Sequence, residues 1–328
     1  MSEIIVLSRD DLVSLMRFGD YVDVVTEAFR MHVEGRTYLP LPLYIPADEG
    51  GFHVKAASLS STPGYAAFKT NSNFPQNRRR AGLPTIQGAV LLFDAGDGTL
   101  LALLDSIEIT LKRTGAATAV AARHLARPNS TRATICGCGE QGRIQLIALR
   151  HSLDIRKAFA WDIDSDAATA FVDDMSKQLG IDIEATSDLR RATVASDVIA
   201  TCTTAKASFL TMDHVKPGTF IAAIGADNPE KSEIAPDLMA RAKVVADIVT
   251  QCAVMGDLHH AIRAGAMTIE TVHAEVGELI TGKRSGRTSD GEITIFDGSG
   301  TGIQDVAAAA RAYELARKSG AGSRVRLT

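Results

Sequence analysis

Residues 133–149 read ATICGCGEQGRIQLIAL, where an apolar run is followed by a glycine-rich loop and then by apolar residues at helical spacing. The order strand, glycine loop, helix is the context that makes a GxGxxG pattern informative. Gly137 permits a tight turn, Gly139 lets the backbone approach a pyrophosphate, and Gly142 lets helix pack on strand, while the helix N-terminus attracts the anion. The predicted cofactor loop consists of Gly137, Cys138, Gly139, Glu140, Gln141 and Gly142. The alternative is a glycine turn that holds no ligand.

An acidic residue follows this loop at the end of the next apolar strand, KAFAWDID (157–164). Asp162 lies 20 residues after Gly142, where a carboxylate can accept both hydroxyls of an adenosine ribose. No Lys or Arg follows within WDIDSD to receive a 2′-phosphate, so the pattern favours NAD(H) over NADP(H). Two alternatives stay open: Asp164 is the ribose ligand, or Asp162 only caps the next helix.

Strand and helix patterns alternate from the glycine loop to ITIFDGSG (293–300), which predicts a doubly wound parallel sheet. Before the loop, residues 38–105 form short extended segments separated by Pro, Gly, Asp and Asn, as is typical of antiparallel sheet. Within that region, DAGDGTL (94–100) predicts a hairpin turn. The predicted fold class is therefore α/β, with a Rossmann-type doubly wound parallel sheet and a second α+β domain that has a mainly antiparallel sheet.

The two ends of the chain have helical patterns. Apolar residues keep helical spacing from Asp10 to about Arg36, with a break near Phe18. A last helix starts at Gln304, and the basic tail after Lys318 is expected to be solvated.

Composition narrows the class of partner. The chain has 328 residues, 45% hydrophobic and 23% charged, which indicates two globular domains. Its net charge of -4 gives no attraction for a polyanion, so nucleic acid is not expected as a partner. We find neither a secretory signal nor an apolar run of about 18 residues, and expect a cytoplasmic protein without a membrane partner. Four cysteines, without the spacing of a zinc site, predict reduced and mostly buried thiols and no metal.

Basic side chains outside the glycine-loop region indicate a site for an anion. Lys69 lies in an extended segment beside two asparagines, and Arg113 lies in a long Ala-rich helix. Together they suit a carboxylate, because Arg offers a fork of donors and Lys a mobile charge. His53 and Lys55 alternate along one strand and so share a face, which is either part of the same pocket or a solvated surface.

Polar residues also follow two of the predicted parallel strands. Asp227 comes after FIAAIGA (220–226), where strand ends of an open α/β sheet face a crevice. An aspartate there can stabilise an iminium nitrogen or relay a proton, although Asp-Asn-Pro is also good turn chemistry. Thr201 and Thr203 end another strand and either line the dinucleotide groove or only end the strand.

Five separated segments, taken in order, resemble the ornithine cyclodeaminase and mu-crystallin family over most of the chain. They are AFKTNSNFP (67–75), LKRTGAATAVAARHLA (111–126), GCGEQG (137–142), IGADNPEKSEI (224–234) and FDGSGTGIQDVAAA (296–309). The resemblance implies a homodimer. It also implies a substrate-binding and dimerisation domain, made of residues 1–115 and a C-terminal helix over 304–328, with an NAD-binding Rossmann domain over 116–303.

The resemblance also assigns roles. Lys69 and Arg113 match the family's carboxylate-binding cations, Asp227 matches its catalytic aspartate, and we take Lys69 as catalytic too. Thr114 and the loop from Gly298 to Ile303, including Ser299, are implied to approach the cofactor.

Two departures from the family pattern bear on the substrate, which is expected to be a small imino or amino acid. PLPLYIP (40–46) lacks the Arg that the family often has there, and GFHVKAAS (51–58) is positive where ornithine cyclodeaminase has an acidic residue for an ammonium group. A positive pocket repels an ammonium and accepts a second carboxylate, so the leading substrate is iminosuccinate, reduced to L-aspartate. The alternatives are ornithine cyclodeaminase, pyrroline-2-carboxylate reductase and, in another class, a mu-crystallin-like NAD(P)H- or ligand-binding protein, against which the retained Asp227 argues.

Overall fold

A computed structural model of the chain describes residues 3–327, except the side chain of Arg78. The contacts between Cα atoms divide it into two compact units, one formed by residues 1–113 with 301–328 and the other by residues 114–300. One unit holds a mainly antiparallel sheet and the other an all-parallel sheet, which confirms the predicted fold class. Among the helices of the described residues, none has the length and apolar character needed to span a bilayer.

The first unit begins with a strand, two helices and a series of short strands. In chain order its elements are β1 (Glu3–Leu7), α1 (Arg9–Leu15), α2 (Phe18–Val33), β2 (Thr37–Tyr38), β3 (Leu43–Ala47), β4 (Gly50–Leu59), β5 (Tyr65–Asn73), α3 (Asn77–Ala81), β6 (Ile86–Asp94), β7 (Leu100–Asp105) and the first part of α4 (Ser106–Leu125). The break between α1 and α2 and the hairpin between β6 and β7 agree with the sequence patterns. The short helix α3 falls in a region for which we predicted only short extended segments and their connections.

The second unit alternates strands and helices. Its elements are β8 (Arg132–Cys136), α5 (Glu140–Ser152), β9 (Lys157–Trp161), α6 (Ser165–Leu179), β10 (Asp182–Ala185), α7 (Leu189–Ala195), β11 (Val198–Thr201), β12 (Phe220–Ala223), α8 (Pro236–Arg241), β13 (Lys243–Ala246), α9 (Val249–Cys252), α10 (Asp257–Arg263), β14 (Ala274–Glu275), α11 (Val276–Ile280) and β15 (Thr294–Asp297). The strands are parallel and lie in the order β10-β9-β8-β11-β12-β15-β13-β14. The order reverses between β8 and β11, and ligands bind at such a switch point, beyond the carboxyl ends of the strands.

The chain then returns to the first unit as α12 (Gly302–Ser319) and β16 (Ser323–Arg326). The predicted C-terminal helix over 304–328 is therefore wrong at its end. Gly320 caps α12 in the left-handed conformation, with φ of 78°, and the basic tail forms an exposed edge strand paired antiparallel with β1. The sheet of this unit has the order β16-β1-β7-β6-β5-β4-β2, with β3 paired to β4.

The two faces of this sheet differ. One face packs against α12, and its alternate residues, such as Ala57, Ala67 and Leu92, are buried. The alanine-rich α12 suits this close packing: a Cβ at Gly302 would lie 2.4 Å from the carbonyl oxygen of Ala56. The other face exposes large apolar side chains, among them Phe68, which is 46% exposed.

Candidate functional site

The glycine loop lies between β8 and α5, at the switch point of the parallel sheet. Gly137 has φ of 99°, a conformation that favours glycine, and a Cβ at Gly142 would lie only 2.1 Å from the Gly137 carbonyl oxygen. At Gly139, in contrast, a Cβ would meet no protein atom within 4 Å. Gly137 and Gly142 are thus required by the fold of the loop, whereas Gly139 leaves open backbone beside a helix N-terminus. This arrangement fits a dinucleotide pyrophosphate.

The two acidic residues after β9 have different partners. Asp162 accepts hydrogen bonds from the backbone N–H of Cys138 in the loop, at 2.7 Å, and of Asp164, at 3.0 Å. Asp164 caps α6 by accepting from the N–H of Asp166, at 2.9 Å. The capping alternative therefore applies to Asp164, and Asp162 is the acid that the structure joins to the glycine loop.

Three cysteines lie near this loop, and all four in the chain are free. Burial raises the pKa of the thiols of Cys136, Cys202 and Cys252 well above the usual range and that of Cys138 to about 12. The thiols are therefore neutral, as expected of buried cysteines without a nucleophilic role.

Beyond the ends of β11 and β12, a buried carboxylate joins two loops. Glu233 accepts from the N–H of Thr203 at 2.6 Å, from its hydroxyl at 2.7 Å, and from the N–H of Gly225 at 2.9 Å. A Cβ at Gly225 would lie 2.4 Å from Glu233 Oε1, so only glycine fits there. Thr203, predicted to line the cofactor groove, thus uses its hydroxyl within the protein, and its role toward the cofactor stays a prediction. Thr201 is buried in β11.

Further acids continue this buried group at the strand ends. Asp257 accepts from the N–H of Glu233 at 2.7 Å, and Asp297, which ends β15, accepts from the N–H of Leu258 at 2.9 Å. Burial raises the pKa of Glu233 and Asp297, and burial together with the charge of Glu233 raises that of Asp257 to about 7. The described residues nevertheless contain no group of three or more such side chains arranged to hold a metal ion.

The predicted cofactor residue Ser299 belongs to the same edge of the sheet. Its hydroxyl donates to Asp247 at 2.9 Å and accepts from the side-chain amide of Gln251 at 2.8 Å. Asp247 also accepts from the N–H of Gly300, at 2.7 Å. The loop after β15 is therefore fixed in place by a buried aspartate. Thr114 is buried on α4, and its role, like that of Ser299, stays a prediction.

The predicted catalytic Asp227 lies four residues after Ala223, the last residue of β12, in the loop that contains Gly225. Its side chain is 51% exposed, and its Oδ1 accepts from the ammonium of Lys231 at 2.7 Å. The carboxylate is thus reachable from solvent, and Glu233 anchors the start of its loop through Gly225.

In the other unit, Lys69 and Arg113 meet on a third residue that we did not predict, Asp305 of α12. Arg113 Nε lies 2.9 Å from Asp305 Oδ1, while Lys69 Nζ lies 3.0 Å from Oδ1 and 2.8 Å from Oδ2. Arg113 Nη1 donates to the side-chain oxygen of Gln304 at 2.8 Å. Lys69 and Arg113 are each 3% exposed and Asp305 is 1% exposed. We refer to Lys55, Lys69, Arg113, Gln304 and Asp305 as the cationic cluster.

Lys55 belongs to the cluster because the strand pairing places it beside Lys69. Its Cα is paired with that of Lys69 across β4 and β5, so the two side chains stand on the same face. His53, two residues earlier, is paired with Asn71, and its ring lies 4.8 Å from that of Tyr44. The strand pairing thus places both predicted residues on the face that carries Lys69.

The titration of the cluster reflects its burial. Burial and the neighbouring Arg113 lower the pKa of Lys69 to about 7, against the opposing effect of Asp305. Burial acts to raise the pKa of Asp305, but Arg113 and Lys69 outweigh it and hold that pKa below its ordinary value. Asp305 is therefore held ionised among three basic side chains, Lys55, Lys69 and Arg113.

Sequence reasoning missed Asp305, Gln304 and the buried acids Glu233, Asp257 and Asp297. Four of these five stand in segments that contributed only to the family resemblance: Glu233 in KSEI, Asp297 in FDGSG, and Gln304 and Asp305 in GIQD. An acidic residue inside an apolar helix pattern, as in QDVAAAA, was the available signal, because such residues are rarely buried unless paired.

Comparisons with known proteins agree with this geometry. The sequence matches the Ornithine cyclodeaminase/mu-crystallin family over residues 2–320. It is 36% identical to alanine dehydrogenase of Archaeoglobus fulgidus over 326 residues, covering 99% of this chain and 98% of the relative.

Two solved structures share the fold of this chain over nearly its whole length. An archaeal alanine dehydrogenase dimer with bound NAD superposes with a TM-score of 0.94 at 35% identity, covering 100% of both chains. The iminosuccinate reductase of Paracoccus denitrificans in complex with NAD+ gives a TM-score of 0.91 at 29% identity, covering 99% of this chain and 100% of the other. The resemblance inferred from five sequence segments is confirmed: the chain belongs to the ornithine cyclodeaminase/mu-crystallin family.

Proposed function

We propose that the protein is an NAD(H)-dependent reductase of small 2-imino acids, with iminosuccinate, reduced to L-aspartate, as the leading substrate. That it is an NAD-dependent oxidoreductase acting on carbon–nitrogen bonds, with NAD as cofactor, follows from its family and its relatives. The choice of a dicarboxylate rests on one observation, the presence of three basic side chains, Lys55, Lys69 and Arg113, in the cationic cluster.

Different members of the cationic cluster would bind the α-carboxylate and the side-chain carboxylate of iminosuccinate. Arg113 uses Nε and Nη1 on Asp305 and Gln304, and Nη2 has no acceptor among the described residues, so it can donate to the α-carboxylate of a substrate. Lys69 adds a second charge to that carboxylate. Lys55, whose Cα is paired with that of Lys69, adds a third basic side chain, which can meet a second carboxylate on the substrate.

Reduction of an imine requires a proton on the reacting nitrogen. When bound, NADH supplies the hydride that reduces the imine carbon. Asp227 favours the protonated nitrogen, because a carboxylate stabilises an iminium cation and can pass a proton to it. Its side chain pairs with Lys231 and is exposed to solvent water, with which it can exchange protons.

The second candidate substrate is an imino acid with a short apolar side chain. Alanine dehydrogenase of A. fulgidus is 36% identical to this chain, against 33% over 279 residues for the iminosuccinate reductase of P. denitrificans. On this alternative the substrate is the imine of pyruvate, and Lys55 has no partner on the substrate.

The test follows NADH absorbance with oxaloacetate or pyruvate, each with excess ammonia, and with ornithine plus NAD. Higher kcat/KM with oxaloacetate supports the dicarboxylate, and higher kcat/KM with pyruvate supports the second candidate. Ammonia released from ornithine without net NADH would replace both by a cyclodeaminase. NADH binding without turnover of any of these substrates would support a ligand-binding protein.

We also propose that the protein is a homodimer. The archaeal alanine dehydrogenase of similar fold is a dimer, and the outer face of the antiparallel sheet exposes apolar side chains here. Phe68 of β5 stacks edge-on against Phe93 of β6 on this face, with ring centroids 5.6 Å apart. A contiguous exposed apolar patch of this kind is typical of a protein interface.

A further inference from the structure

Asp305 is the one acidic member of the cationic cluster, and both buried cations converge on it. Arg113 Nε and Lys69 Nζ bind the same oxygen, Oδ1, at 2.9 Å and 3.0 Å. The residue before it, Gln304, accepts from Nη1 of the same guanidinium. Two successive residues in the first turn of α12 therefore bind two nitrogens of Arg113 and the ammonium of Lys69.

The hydrogen bond from Arg113 Nη1 determines how the side-chain amide of Gln304 is oriented. A guanidinium has donors only, so the atom facing Arg113 Nη1 is the amide oxygen, and the amide NH2 points away from the guanidinium. The Arg113 plane is thereby fixed at Nε and Nη1, which leaves Nη2 in one defined direction. A fixed guanidinium plane is what bidentate binding of a carboxylate requires.

We propose that Asp305 is a positioning residue, which holds the Lys69 ammonium and the Arg113 guanidinium in the arrangement that receives the substrate's α-carboxylate, with Gln304 fixing the Arg113 plane. The proposal rests on the proposed function, because it concerns the carboxylate subsite of that reaction. Asp305 itself is nearly inaccessible to solvent and bonded to both cations, so it acts through them and does not touch substrate.

Electrostatics support a role beyond packing. The charged groups around Lys69 are Lys55 from β4, Arg113 from α4 and Asp305 from α12, while its partner on β6 is the apolar Val90. Burial and the two other cations all disfavour the Lys69 ammonium, and Asp305 is the group that favours it. Without this carboxylate, Lys69 would lose its proton below neutral pH and with it the charge that attracts a carboxylate.

The experiment compares wild type with Asp305→Asn and with Glu314→Gln as the matched control. Glu314 also lies on α12 and also contacts β5, through a hydrogen bond of 3.1 Å from the Tyr65 hydroxyl, but it lies outside the cationic cluster. The first readout is the titration of the Lys69 ammonium by NMR of ¹⁵N-lysine-labelled protein, assigned with a Lys69→Arg variant. The second is the pH profile of kcat/KM for the imino acid, with NADH affinity measured beside it.

We expect Asp305→Asn to lower the Lys69 midpoint by about one to three pH units, the usual effect of losing one close opposite charge. Above the wild-type midpoint, kcat/KM should then fall about tenfold for each unit of that shift, mainly through KM, with NADH affinity unchanged. Glu314→Gln should leave the midpoint and KM as in wild type. An unshifted midpoint in Asp305→Asn, or an equal shift in both variants, overturns the proposal.

Two further outcomes are decided separately. If Asp305→Asn does not fold, Asp305→Glu carries the test: it keeps the charge, so the Lys69 midpoint should stay near wild type while KM rises, and an unchanged KM refutes positioning. If the wild type turns over no imino acid, the proposed function fails, and the positioning role fails with it only if the Lys69 midpoint is also insensitive to Asp305→Asn.

Discussion

Replacing Asp257 by Asn should stabilise the protein above neutral pH, an unusual outcome for a fully buried, hydrogen-bonded side chain. Asp257 Oδ1 accepts from the N–H of Glu233 at 2.7 Å and of Ile234 at 2.9 Å, and asparagine keeps an oxygen at that position. Asp257 Oδ2 is buried without a hydrogen-bond partner among the described residues. The substitution therefore preserves the two backbone contacts and removes only a carboxylate that burial and Glu233 disfavour.

The magnitude follows from the pKa of Asp257, which burial and Glu233 raise from 3.8 to about 7 in the folded protein. Between these two values the folded state holds a proton that the unfolded chain has released, so this residue lowers stability as pH rises. The loss is complete above the folded pKa and absent below the unfolded one. A difference of about three units, at about 1.4 kcal/mol each, sets an upper limit of about 4 kcal/mol.

Urea denaturation of wild type and Asp257→Asn over a series of pH values measures this effect. The two proteins should have similar free energies of unfolding in acid, and the variant should become more stable by about 2 to 4 kcal/mol above neutral pH. Asp166→Asn, in the exposed first turn of α6, is the control and should show no such pH-dependent gain. A variant that is equally destabilised at every pH would refute the reasoning, since it would mean that the buried group needs the Asp257 charge.

Four further substitutions test the site and the interface. Asp227→Asn should reduce kcat by about 10² to 10⁴-fold with little change in the NADH dissociation constant, and equal losses in both would contradict its assigned role. Lys55→Met should lower kcat/KM for iminosuccinate about 10- to 100-fold but spare the imine of pyruvate, while the control Lys112→Met, at a half-buried position of α4, should spare both. Gly142→Ala places a Cβ 2.1 Å from a backbone oxygen and should weaken NADH binding at least about tenfold in a fluorescence titration; unchanged binding would mean the loop is not the cofactor site. Phe68→Lys should convert the dimer to monomer in analytical ultracentrifugation without loss of secondary structure, and a persistent dimer would place the interface elsewhere.

Features governed by neighbouring residues could be predicted from the sequence. The glycine loop, the strand before it and the acid after it are set by turn geometry and by local hydrophobic pattern, and the structure places all three as expected. Lys69 and Arg113 could be proposed as a pair only through chemistry and family resemblance. Their shared partner, Asp305, is 236 and 192 residues away in the sequence, and no local pattern links such positions.

The end of the chain shows a second limit. Helical spacing and alanine content continue up to Lys318, and nothing in the composition of the tail distinguishes a frayed helix from a strand. Gly320 and Gly322, both with φ of 78°, end the helix and turn the chain, and the vacant edge of β1 then determines what the tail becomes. Strand formation here depends on a partner at the other end of the sequence.

The same residue types serve opposite purposes in the two units, and their surroundings decide which. Glu233 and Asp257 are satisfied mainly by backbone N–H groups and a hydroxyl, whose dipoles do not offset burial, so both have raised pKa values and act as anchors for loops at the strand ends. Asp305 is just as deeply buried, but two cations outweigh the cost of burial and keep it ionised. Only an ionised buried acid can hold an ammonium and a guanidinium side by side, since a protonated one would leave two buried cations to repel each other. Two buried cations that we propose to receive a substrate carboxylate therefore require a carboxylate of the protein's own beside them.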